Sequence, residues 1–204
     1  MNYKLAPIVL FALWLFPIRQ KAFAADDVHF GWKPGVAGGQ LVPDSTSPDR
    51  KWALFEINRY DMGMPMTATA IAVADLHRAI LLGLLNCETH WSTDLPYKSY
   101  LTIKWSPDSE YLAIHDSTPK NSVLQIYRVT ATELRSINLP DLHRIAAEEM
   151  QIPEKKITSS GQLPVEWTKS GDMVVRVRLT VDGATQQKDF TLHVSPESAA
   201  LVSP

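Results

Sequence analysis

From Met173 to Val181 apolar and polar residues alternate with a period of two. Met173, Val175, Val177, Leu179 and Val181 share one face, and Arg176, Arg178 and Thr180 share the other. Asp182-Gly183 follows, a pair suited to the positive φ angles of a tight hairpin turn. Phe190, Leu192 and Val194 then alternate with Asp189, Thr191 and His193. The pattern predicts a β-hairpin. Trp52–Ile57, Thr69–Val73, Tyr100–Trp105, Tyr111–Ile114 and Val123–Val129 read as strands on the same logic. Leu76–Leu85 fits either a helical stripe after an Asp75 cap or a turn into a strand, and the strand is favoured. One helix is expected over Leu142–Met150, where Asp141 can cap the first turn, Pro140 precedes it and Pro153 stops it. The fold class is therefore all-β with one inserted helix.

Laid over one another, these segments repeat. Ile103-Lys-Trp-Ser-Pro-Asp-Ser-Glu-Tyr-Leu-Ala-Ile114 superposes without a gap on Val165-Glu-Trp-Thr-Lys-Ser-Gly-Asp-Met-Val-Val175. Asp44-Ser-Thr-Ser-Pro-Asp-Arg-Lys-Trp-Ala-Leu-Phe55 matches the second half of the unit. Each copy is an extended segment, a turn and a second apolar segment. In the first two copies proline sets φ for the turn and aspartate can accept from the backbone ahead of it.

The segment Trp105-Ser-Pro-Asp-Ser-Glu-Tyr-Leu-Ala-Ile114 resembles the Trp-Ser-Pro-Asp-Gly-x-x-Leu-Ala core of TolB-type, WD40-like β-propeller repeats. Ser47-Pro48-Asp49 with Trp52 is a second match, and Trp167 with Gly171 a third. Arg50 and Ser109 replace the usual glycine, and Thr168-Lys169-Ser170 replaces Ser-Pro-Asp. The resemblance implies about three blade-like units, fewer than the four or more that close a propeller. The expected architecture is thus a propeller-like stack of antiparallel sheets in an incomplete ring. Its open edge and open apolar face need cover, from the arm over 26–49 and the 142–150 helix or from a second chain.

The amino terminus changes the picture of where this domain works. Lys4 precedes an apolar run, Leu5–Ile18, too short to span a membrane, and Ala22-Phe23-Ala24 forms an A-x-A cleavage site. The expected organisation is a signal peptide over 1–24, an extended arm over 25–43, the β domain over 44–195 and a flexible tail over 196–204. Export to the periplasm or the extracellular space follows, with no stable membrane insertion after processing. Cleavage removes three basic residues and no acidic ones, taking the formal net charge from −2 to about −5. Such a chain lacks the basic footprint of a nucleic-acid binder. The single cysteine, Cys87, follows an apolar run and reads as a buried, inert thiol.

Gly-x-Ser-x-Gly, His-Glu-x-x-His, phosphate-loop and Cys-x-x-Cys motifs are all missing from the chain. The histidines (29, 77, 90, 115, 143 and 193) are scattered. Glu88 and His90 read as loop residues rather than metal ligands, and Met62, Met64 and Met66 as an apolar flap rather than a copper site. His115 and Asp116, at the end of a predicted inner strand, are the best polar candidates for a site at a sheet rim. Trp105 and Trp167 occupy equivalent repeat positions and read as inter-sheet packing. Trp32 and Trp91 have no such explanation and are candidate exposed contacts. No cofactor is expected, and the partner is expected to be a protein or a second copy of the chain. The function expected is that of an exported, non-catalytic interaction or ligand-binding protein. The alternative is a hydrolase whose site is assembled from the loops over 60–67 and 87–98.

Overall fold

Alternating segments joined by tight turns fold back on their neighbours, and the computed structural model describes this for residues 40–58, 69–86, 101–117 and 122–202. Three four-stranded antiparallel meanders result, each formed by strands consecutive in the chain. The first comprises β1 (Gln40–Leu41), β2 (Trp52–Asn58), β3 (Thr69–Asp75) and β4 (Ile80–Leu84). The second comprises β5 (Leu101–Trp105), β6 (Tyr111–Ser117), β7 (Ser122–Val129) and β8 (Leu134–Ser136). The third comprises β9 (Ile157–Trp167), β10 (Met173–Val181), β11 (Ala184–Val194) and β12 (Ala199–Leu201). The all-β expectation holds, as does the strand within Leu76–Leu85. Asp75 accepts from the backbone N–H groups of His77 and Arg78, closing a turn from which the chain enters β4.

Strand parity sets the stacking. Leu112 and Ile114 of β6 face Trp52, Leu54, Ile71 and Val73 of the first sheet. Ala113 and Ile126 face the other way, into a core with Met173, Val175, Val177 and Leu192 of the third sheet. Leu54, Leu112, Met173 and Leu192 are all fully buried. The single α-helix among the described residues, α1 (Leu142–Glu149), starts where Asp141 accepts from Arg144 N–H. Its Leu142, Ala146 and Ala147 join the core against β10 and β9. The helix is thus the local cover for that apolar face. The outward face of the third sheet is polar: Arg176 makes a bidentate pair with Asp189, and Thr180 meets Thr185. The apolar face expected to be left without a partner does not arise on this side.

Two expectations are corrected. Leu192–Val194 pairs with Ala199–Leu201, and Ala199 N–H donates to Asn138 O, so the segment read as a loose tail is ordered over the described residues 196–202. Gln40–Leu41 pairs with Phe55–Glu56, so the sheet begins inside the segment read as an arm. β9, which the strand pattern did not mark out in full, is eleven residues long and runs through Gly161 and Pro164. It is an edge strand whose pairing skips a residue between Leu163 and Trp167, where a missing proline N–H deprives no neighbour.

Candidate functional site

The three repeat turns have nearly the same chemistry. Ser47 Oγ donates to Asp49 Oδ1 and accepts from Trp52 N–H, while Lys51 N–H donates to Asp49. Ser106, Asp108, Tyr111 and Glu110 repeat these bonds. Thr168, Ser170 and Asp172 form a variant, in which Thr168 Oγ1 accepts from Asp172 N–H. Arg50, Ser109 and Gly171, the positions aligned with the repeat glycine, all have positive φ. The gapless superposition needs one correction: Trp105 pairs across its turn with Leu112, but Trp167 pairs with Met173, one residue sooner. The third turn is shorter by one residue, which puts Met173 on the face that Leu112 holds.

Both repeat tryptophans bond back to an earlier segment, Trp105 Nε1 to Ser45 O at 2.7 Å and Trp167 Nε1 to Lys104 O at 3.0 Å. Each indole ties one sheet to the next. A further link joins the first two turns, Asp49 N–H donating to Ser109 Oγ.

These ties hold four turns of the first two sheets around a cleft of about 490 Å³, within the range of ligand sites. It is lined by Trp52 and Val129 and by the charged residues Asp49, Lys51 and Glu110, among others. Arg78 spans it, paired with Asp75 of its own turn and donating to Ala131 O of the β7–β8 turn. Burial of the Asp49 carboxyl works to raise its pKa, but donors from Ser47, Lys51 and Ser109 outweigh that and hold it below its ordinary value. It stays ionised beside Lys51, 3.1 Å away. Arg128 differs from these groups. Its Nε is shut off from solvent and has no hydrogen-bond partner among the described residues.

The sequence candidates lie elsewhere. His115 and Asp116 are both buried, at 8 % and 7 % exposure, but as neighbours on β6 they point to opposite faces and do not converge. His115 Nε2 meets Ser122 Oγ at 2.6 Å. A β-carbon on Gly161 would lie 2.9 Å from that hydroxyl, so the facing strand seals the Ser–His contact into the sheet interface. Burial lowers the His115 pKa; the Asp116 charge opposes this and Arg178 adds to it. Trp32, Trp91, Glu88, His90, Cys87, Met62, Met64, Met66 and the loops over 60–67 and 87–98 all lie outside the described residues. Among the described residues no three His, Cys, Asp or Glu side chains are grouped to hold a metal ion. Sequence reading missed the cleft, because its residues come from four turns brought together only by sheet stacking.

The class defined by this geometry is an all-β stack of three antiparallel sheets with one helix packed against the third. Among the described residues no helix is long and apolar enough to cross a membrane. No protein-family model matches the chain, and neither curated proteins nor solved structures show a match to it.

Proposed function

We propose that this chain is an exported, non-catalytic binding protein. In this reading it is built from TolB-like repeat units and takes its ligand or protein partner at the turn end of its first two sheets. The observation that carries the reading is the cleft itself. It is large enough for a small ligand or a few residues of a peptide, and its walls are held by bonds between sheets. Asp49, Lys51, Asp75 and Arg78 are paired with turn backbone and with one another rather than arranged as nucleophile, base and oxyanion donors. Among the described residues two Ser–His contacts would favour a hydrolase, Ser122–His115 and the exposed Ser160–His143, and the backbone of Gly161 crowds the Ser122 hydroxyl against an acyl group.

The test is chemical-shift mapping on the mature protein with mixtures of small metabolites and short peptides, alongside ester and peptide hydrolysis assays. Ligands are expected to move the backbone amides of Ser109–Glu110 and Val129–Ala131 without turnover. Hydrolysis that disappears in Ser122→Ala would overturn the reading in favour of the hydrolase.

A further inference from the structure

β11 pairs with β10 from Ala184 to Leu192, but β12 covers only its last three residues, Leu192–Val194. On that side Thr191 O accepts from Val202 N–H, and just past the strand Ser195 N–H donates to Ser198 O. Odd-numbered residues of β11 therefore aim their backbone groups away from β10. Thr185, Gln187 and Asp189 share this parity, and among the described residues no strand lies beside them. Every residue from Asp182 to Asp189 is exposed. Their N–H and carbonyl groups form an open edge that continues the line of β12. Edges of this kind pair with other strands unless charges guard them. The two charges here are engaged elsewhere: Lys188 donates to Glu149 of α1, and Arg176 holds Asp189 in a bidentate pair.

We propose that this edge is a self-association surface, at which the β11 strands of two copies pair antiparallel about a two-fold axis through Gln187. The open backbone groups fix the register. With Gln187 opposite Gln187, Thr185 falls opposite Asp189, so the edge residues of each copy meet only edge residues of the other. Between them Gln186 falls opposite Lys188, and no like charges face each other across the axis. Centring the axis on Lys188 instead would set two ammonium groups against each other. The contact uses the same patch on both copies, as two-fold dimers do, and joins two third sheets into one by strand addition. None of its residues lines the cleft of the first two sheets.

The experiment reads the mass and amide exchange of the mature protein from about 10 µM to about 1 mM, because one strand pair buries less than the about 1,200 Å² of stable complexes. Sedimentation equilibrium is expected to show monomer passing to dimer over that range. Exchange of the Thr185, Gln187 and Asp189 amides is expected to slow about tenfold as the dimer forms, while those of Gln186 and Lys188, which face β10, hold steady. Gln187→Lys puts like charges on the axis and is expected to weaken association about tenfold, and an equal amount of Gln187→Glu chain to restore it. Gln187→Pro removes a donor that β10 does not use and is expected to leave a folded monomer. A single mass at every concentration would overturn the proposal and leave the edge to a different protein. A dimer that tolerates Gln187→Lys, or whose loss the glutamate chain fails to restore, would overturn it by placing the contact elsewhere. Full protection of the three amides in a monomer would assign the edge to a segment of the same chain and overturn it as well.

Discussion

At Arg50 and Ser109 a non-glycine residue sits at φ near +60°, the region that crowds a β-carbon. The strain at Arg50 serves no bond found for its side chain, which is exposed. Arg50→Gly is therefore expected to raise stability by about 0.5–1 kcal/mol, the relief of strain exceeding the added freedom of the unfolded chain. Urea denaturation measures it, and an unchanged midpoint would mean the turn tolerates its φ. At His115 the sign of the pH effect follows from burial. The folded protein holds the imidazole below its ordinary pKa, so the unfolded chain takes up a proton first as pH falls. The stability tied to His115 is complete above about pH 6.5 and is lost as pH drops from there towards the depressed value. Denaturation at pH 7.5 and 5.0 should show a decrease that is smaller in His115→Gln.

For the elements, the two indole bonds supply the clearest comparison. Trp105 and Trp167 are partly buried, so alanine at either is expected to remove about 3 kcal/mol, the lower end for a large aromatic. Phenylalanine keeps the packing and loses the bond to Ser45 O or Lys104 O, a loss of about 1 kcal/mol. Matching losses for Phe and Ala would mean the bond, not the ring, joins the sheets. The helix offers a second comparison. Asp141→Ala removes the cap on Arg144 N–H and should lose about 1 kcal/mol; Leu142→Ala opens the core and should lose about 3 kcal/mol. Thermal melts of both variants decide whether the helix is part of the cooperative fold.

For the molecule, the carboxyl-terminal strand closes the third sheet and ties it to the second. Ala199 N–H donates to Asn138 O, Asn138 accepts a place beside Ser198, and Arg135 lies 3.9 Å from Glu197. A chain ending at Ser195 is expected to melt several degrees lower and to aggregate more readily, because the edge of β11 is uncovered. A truncated chain with unchanged melting would return that segment to the status of a tail.

Much of the architecture follows from local pattern. Period-2 alternation specifies strands such as Met173–Val181, Asp182-Gly183 specifies a hairpin, and Asp141 specifies a helix start, because each signal acts within a few residues. Ser-Pro-Asp likewise declares its turn, since serine, aspartate and the backbone they bond are chain neighbours. Tertiary structure decided the rest. β9 is a strand despite Gly161 and Pro164 because its place at a sheet edge spares the missing donor. Ala199–Leu201 is ordered because an open edge accepts it. The cleft exists only where stacked sheets bring distant turns together, whereas the pleat of β6 alone parts His115 from Asp116. Neighbours in sequence share a turn, but a pleated strand turns consecutive side chains away from each other, and only packing between sheets chooses which distant groups meet.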